Sequence, residues 1–284
     1  MRSSRTLIMI LLLTVHEFTW AGFDEGVTAF ERGDHAAAER EFRALAEQGD
    51  AKAQTLLGAM YEGGVGSQQD YTEALKWYRS GAEQGLAEAQ FNLGKMYFIG
   101  KGVSVNYMEA RKWLRKSAEQ NFPDAQFTLG WMYDLGYIKT DYKKAIKWYR
   151  KAAEQGHPDA QLHLGYKFSS GQGVPEDDKE AHKWYMKAAD QGHAEAQFVL
   201  GQCYQTGGGG ISQDYVQAFK WYSIAVNSWL DVVGSNDVME AIGIRGALGG
   251  KKAIENLEHI ASEMTPDQLA EAKKLAQEWI DQHE

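Results

Sequence analysis

The chain repeats itself with a period near 36 residues, and no other property restricts its fold so tightly. Leu-Gly pairs fall at Leu57-Gly58, Leu93-Gly94, Leu129-Gly130, Leu164-Gly165 and Leu200-Gly201, in steps of 36, 36, 35 and 36. Tryptophans keep the same phase at Trp77, Trp113, Trp148, Trp184 and Trp221. So do the alanines of Ala-Gln pairs at Ala53, Ala89, Ala125, Ala160 and Ala196. Three series in one phase define five copies of a single unit. A unit this short cannot bury an apolar face alone, so neighbours must stack to make a continuous core.

Each copy reads as two helices. AKAQTLLGAMYEG, from Ala51, gives the first; the SQQ stretch turns; DYTEALKWYRSGAEQG, from Asp70, gives the second. Asp70, Asn106, Asp141, Asp177 or Asp178, and Asp214 precede the second helices, where a short side-chain oxygen accepts from first-turn amides that lack a helical partner. Gly85, Gly156 and Gly192 close those helices at a position suited to a left-handed residue, and Asn121 replaces glycine in the second copy. Ala74, Trp77, Tyr78 and Ala82 recur at i, i+3, i+4 and i+8, one buried helical face. A mid-helix glycine costs about 1 kcal/mol. Gly58, Gly94, Gly130, Gly165 and Gly201 therefore mark close helix approach, with the phased tryptophans expected as the large residues packed on them.

The pattern A-x-A-Q-x-x-L-G-x-M-Y, a G-x-G-V loop such as that at Gly102-Val103 and Gly173-Val174, and then D-Y-x-x-A-x-x-W-Y-x-x-A-A-x-Q-G, resembles the Sel-one-like repeat family over residues 50–228. The third loop, GYIKTD, is shorter and departs from it. The resemblance implies an all-α fold, a right-handed α-solenoid of helix hairpins related to tetratricopeptide arrays. It also implies first helices lining a concave surface and a role in scaffolding protein complexes.

The ends differ from the middle, as capping units should. Residues 22–49, including FDEGVTAFERGDHAAAEREFRALAEQG from Phe23, read as a tetratricopeptide-like capping hairpin with a shorter first arm. Residues 229–284 read as a degenerate sixth first helix followed by two capping helices. The last of these starts with Thr265 as N-cap, Pro266 at the first helical position and Gln268 completing a capping box, with Met264 and Leu269 as a hydrophobic staple. Ahead of the array, Arg2 and Arg5 precede the apolar run Leu7 to Leu13, and Thr19-Trp20-Ala21 leads to Gly22. This is a signal-peptide layout over residues 1–21, too short in its apolar part to span a bilayer at ~20 residues. The expected location is periplasmic or secreted, with no stable membrane insertion after cleavage.

Charge and cysteine content narrow the partners. Thirty basic against 39 acidic residues become 28 against 38 once the leader is removed, a charge of -10, which repels a nucleic-acid backbone. Cys203 is the only cysteine, so no internal disulfide can form. Cys203 also stands at a helix position held by Met60, Met96 and Met132. Some cysteine-rich members of the family are linked with β-lactam binding or hydrolysis, but they carry paired cysteines in each repeat. No Ser-x-x-Lys occurs here, and Lys139-Thr140 is followed by Asp141 rather than glycine. Gly207 to Gly210 lacks the lysine of a phosphate loop and reads as a loop insertion. His157, His182 and His193 show no paired spacing of a common zinc site and read as capping or solvated residues. No catalytic residue, cofactor or metal ligand is expected.

What varies between copies points to binding. First-helix positions that differ fall three or four residues apart: Asn92, Lys95 and Phe98; Thr128 and Trp131; His163 and Tyr166; Val199 and Gln202. On a concave face they would form a strip with aromatic centres and polar borders, the composition of a protein-binding hot spot. The alternative for Trp131 and Tyr166 is that they cover a groove between repeats. The functional expectation is an exported adaptor for a protein or peptide segment in envelope regulation, assembly or host contact. A β-lactam-binding enzyme is an alternative, and a module binding cell-wall peptidoglycan a second one.

Overall fold

The structure, a computed structural model, describes residues 21–208, 210–233 and 249–283. The expected signal segment apart from Ala21, and most of the expected degenerate sixth helix, lie outside these residues. Among the described residues there are fourteen α-helices and no strand. None of these helices is long and apolar enough to cross a membrane. The helices fall into two compact units, divided between Thr140 and Asp141. That boundary lies in the loop the sequence sets apart as short.

The first unit holds α1 (Ala21–Glu31), α2 (His35–Glu47), α3 (Ala51–Gly63), α4 (Tyr71–Glu83), α5 (Ala87–Ile99), α6 (Tyr107–Glu119) and α7 (Pro123–Asp134). The second holds α8 (Tyr142–Glu154), α9 (Pro158–Ser170), α10 (Asp178–Ala189), α11 (Ala194–Thr206), α12 (Tyr215–Val233), α13 (Gly249–Glu263) and α14 (Pro266–His283). Within each unit successive helices pack on one another as hairpins, the packing of an α-solenoid. The cap chemistry follows the sequence. Asp70, Asn106, Asp141 and Asp177 accept first-turn amides. Asp214 accepts from the amide of Gln217. Asn121 takes the left-handed conformation at φ 64° beside the glycines that do so elsewhere. Thr265 and Gln268 bond each other's backbone amides at 3.3 and 2.9 Å, the reciprocal capping box.

A ladder of glutamines joins the hairpins. The side-chain amide of Gln54 donates to the Ala46 carbonyl at 3.0 Å, near the end of the preceding helix, as a second donor beside the Gly49 amide. Gln90 and Gln126 do the same to Ala82 and Ala118 in the first unit, and Gln161 and Gln197 to Ala153 and Ala189 in the second, each at 3.1 Å. The glutamine oxygens are then used from the other side. Gln84 donates to Gln54 Oε1, Gln120 to Gln90 Oε1 and Gln191 to Gln161 Oε1, at 2.7–2.8 Å. Gln54, Gln90 and Gln161 are thus buried amides tied at both ends, so losing one partner strands a group at a cost of about 1–3 kcal/mol.

The residue packed on the mid-helix glycine is not the tryptophan that the sequence suggests but its neighbour. A Cβ on Gly58 would lie 2.7 Å from the Tyr78 ring, one on Gly165 2.4 Å from Tyr185, and one on Gly201 2.5 Å from Tyr222; at Gly94 the neighbour is Leu114 at 2.8 Å. One residue turns a helix by about 100°, so Trp77 and Tyr78 cannot share the contact. The tryptophans instead carry lysine ammonium groups over their rings: Lys76 on Trp77, Lys116 on Trp113, Lys151 on Trp148, Lys187 on Trp184 and Lys220 on Trp221. Trp148 is only half-buried, while the other four are buried.

Three of these buried tyrosines find a partner for the hydroxyl on the first helix of the same copy. Tyr78 donates to Glu62 Oε2 at 3.0 Å, Tyr185 pairs with Ser169, and Tyr222 donates to Gln205 Oε1 at 2.6 Å. The second copy has Phe98 and Leu114 at these two positions, apolar at both. A tyrosine without its polar partner would leave a buried hydroxyl unpaired.

The array stops where its stop signals stop. In the fifth copy Ser228 stands where Gln84 stands in the first, and Trp229 where Gly85 does. Without the closing glycine, α12 runs on to Val233, through the 228/229 boundary expected from the sequence. Without the glutamine, Gln197 Oε1 is buried with no partner. Trp229 packs on Phe198 at 6.0 Å between centroids, and α13 and α14 cover α12, with Trp279 against Trp221 and Asn256 donating to the Tyr222 hydroxyl.

The tyrosine rule can be tested by exchange. Glu62→Phe and Tyr78→Leu together reproduce the second copy's pair. In urea melts the double variant should be more stable than the sum of the two single changes by about 1 kcal/mol, whereas additive effects would break the rule.

Candidate functional site

In each first helix the second, sixth and ninth positions form one stripe, because residues four and three apart share a helix face. In the first unit the stripe is Glu88, Asn92 and Lys95 on α5, then Asp124, Thr128 and Trp131 on α7. Asn92 is 0% exposed and neither end of its amide has a partner. It is therefore internal and not part of a surface strip. Lys95 lies over the Phe91 ring, and Thr128 turns its hydroxyl back to the Asp124 carbonyl. Phe98 and Trp131 meet at 5.6 Å, joined by Tyr107 and Tyr137 in a cluster of four rings. Around it Ile99, Val105, Met108 and Leu135 are exposed.

In the second unit the stripe is Asp159, His163 and Tyr166 on α9, then Glu195, Val199 and Gln202 on α11. Here three of the expected residues converge. Tyr166, Val199 and Gln202 line a groove of about 270 Å³ together with Tyr185, His182 and Cys203. Val199 is buried and serves as floor rather than free surface. Tyr166 and Tyr185 stand edge to face at 5.5 Å, and the Tyr166 hydroxyl donates to Glu195 Oε1 at 3.3 Å. His163 meets Tyr166 edge-on behind the groove, with Tyr149 on its other side.

Most of the residues lining the groove fall outside the strip expected from the sequence, and two of them, Asp178 and His182, bear on its charge. Asp178 lines it, and the N-cap is Asp177 instead, whose Oδ1 accepts from the Glu180 amide at 3.0 Å. The signal was present: Tyr71, Tyr107, Tyr142 and Tyr215 occupy the Asp178 position in the other copies. His182 also lines the groove, on a second helix rather than on the first-helix stripe.

The local electrostatics disfavour thiolate chemistry. Burial and then the Asp178 charge push the Cys203 thiol up to about 11, so it stays neutral at ordinary pH. Burial lowers the His182 pKa, and burial followed by the Glu195 charge raises that of Tyr166. His157 and His193 act as N-caps, each accepting a backbone amide on Nδ1. The His193 proton therefore sits on Nε2, which faces Asp159 Oδ1 at 3.2 Å, and this bond holds the Asp159 carboxyl below its ordinary range. Among the described residues no group of three metal-ligating side chains forms.

Five successive segments, residues 51–86, 87–122, 123–157, 158–193 and 194–228, match the family model of the Sel1 repeat. Among solved structures, a Sel1 repeat protein from Oxalobacter formigenes is 32% identical over 85% of this chain and 97% of its own, with a TM-score of 0.69. A protective antigen present in uropathogenic Escherichia coli strains, displaying an SLR fold, is 29% identical over 94% of this chain and 62% of its own, with a TM-score of 0.54. An immunity protein from Pseudomonas aeruginosa is 17% identical over 76% of this chain and 89% of its own, with a TM-score of 0.50, a likeness of fold alone. No curated protein sequence matches the chain.

The acid at the head of the α5 stripe has a measurable consequence. Burial and then the Asp124 charge raise the Glu88 carboxyl from 4.5 to about 7. A carboxyl that protonates more readily when folded costs nothing below its ordinary range, and its penalty grows until pH passes the folded value. Glu88→Gln should leave stability unchanged near pH 4 and raise it by about 1–3 kcal/mol at pH 8, read by urea melts at the two values.

Proposed function

Because the chain belongs to the Sel1 repeat family, whose members are generally protein-interaction scaffolds, we propose that it is an exported scaffold holding a protein or peptide segment in the groove beside Tyr166. The observation that carries the reading is the convergence of Tyr166, Val199 and Gln202 on one groove with a second tyrosine wall. Buried aromatic walls with polar borders are the makeup of interaction hot spots. The four rings of the Trp131 cluster pack on one another. A catalytic role finds less support, since the one thiol in the groove is kept neutral and has no second cysteine to pair with.

Export rests on the charged, apolar and small-residue layout of residues 1–21. Expressed at full length in a Gram-negative host, the protein should be recovered from the periplasm or medium with its mass starting near Gly22. Retention in the cytosol with Met1 in place would remove this part of the proposal.

Groove binding is tested by capture from envelope extract with the tagged mature chain. Tyr166→Ala and, separately, the exposed Gln202→Ala should each weaken capture of the same partner, Tyr166→Ala by about tenfold or more, with helicity unchanged. Capture at wild-type strength by both variants would place the binding surface elsewhere.

A further inference from the structure

One repeat before the groove, the chain supplies its own cation. Lys167 is buried on α9; its Nζ lies 5.0 Å from the centre of the Tyr142 ring and donates to Gln172 Oε1 at 2.9 Å. Tyr142 opens the second helix of the third copy, and Lys167 is the tenth residue of the next first helix. One copy further along, the same two positions are Asp178 and Cys203. The aromatic face has become a carboxylate and the lysine has shrunk to a neutral thiol.

The space left by these two changes is the groove, which both residues line. The loop above it is looser as well. A Cβ on Gly173 would meet the Tyr142 Cβ at 2.7 Å, whereas on Gly210, the same distance ahead of its N-cap, it would meet the Lys179 Cγ at 3.3 Å and Asp178 only at 3.8 Å. No lysine or arginine lines the groove among the described residues, and Asp178 has no ion pair there. The imidazole of His182 does not compensate, because burial favours its neutral form, and its Nδ1 is buried with no partner. Glu195 adds a second carboxylate at the Tyr166 hydroxyl.

We propose that this groove seats a lysine or arginine side chain of the bound segment, its cation lying between the Tyr166 and Tyr185 rings and the Asp178 carboxylate. The inference rests on the groove being the partner site and names what the partner must present. A cation near aromatic faces gains from their quadrupoles, and the unpaired carboxylate supplies the charge to which it binds.

Cys203 is the only cysteine in the chain, so its alkylation reports occupancy of the groove without labelling. Iodoacetamide modification of the full mature protein, followed by intact mass at low salt, is measured with a glycine-serine peptide carrying one central lysine, and with arginine, leucine or glutamate in its place. The lysine or arginine peptide should slow modification about threefold when present at twice its dissociation constant, and the leucine and glutamate peptides should not. Asp178→Asn, which leaves the Asp177 cap intact, should remove that protection, judged by rates with and without peptide in the same variant. Equal protection by the leucine peptide, no protection by either cation, or undiminished protection in the asparagine variant would overturn the proposal. If Tyr166→Ala abolishes partner capture while no cationic peptide protects Cys203, the cation seat fails alone. If cationic peptides protect Cys203 while capture ignores Tyr166, the seat stands and the partner reading falls.

Discussion

A buried glutamine amide that must satisfy both of its ends is the constraint on which each hairpin depends. Its nitrogen closes the end of the helix before it, and its oxygen receives the glutamine that ends the helix after it. Neither bond can form unless three consecutive helices are in register, so the polar ladder sets register while the alanine, leucine and tyrosine faces supply apolar burial. In a dry interior such a network is strong when complete and costly when broken. It ties the stability of each hairpin to the hairpin beside it.

The regular parts of the structure were legible in the sequence because each rests on a residue whose chemistry has few uses. Asp70 before a helix, Asn121 after one and the Thr265 capping box could each be read from local propensity. The identity of the residue against Gly58 could not, since Trp77 and Tyr78 recur with equal regularity and only helix phase separates them. Recurrence measures importance without saying which neighbour is involved. The pairing of Glu62 with Tyr78 and of Phe98 with Leu114 was visible in principle, as a correlated change between copies, but it needs knowledge of which side chains meet.

The candidate site shows the complementary difficulty. Variation between copies picked out Tyr166 and Gln202, which line the groove, but also Asn92, which is fully buried. A position varies either because it faces solvent or because its internal surroundings vary with it, and sequence alone does not tell these apart. Asp178 is hard to recognise in the sequence for the opposite reason. It follows an acidic cap and reads as more of the same, although it breaks a run of tyrosines. The groove is thus made by departures from the repeat, and the surrounding regularity makes each departure specific.

The unfilled oxygen of Gln197 gives the ladder a direction and an end. Gln161, the earlier rung in its unit, presents the same acceptor to a glutamine, as Gln54 and Gln90 do in the first unit, so nothing in a rung encodes how many rungs there are. Length is written instead in two adjacent positions, where Ser228 is too short to donate and Trp229, in place of glycine, lets α12 run on beneath its two covering helices. The array is therefore modular in the manner of a polymer with a terminator. Whole copies could be gained or lost ahead of the fifth without redesigning either cap.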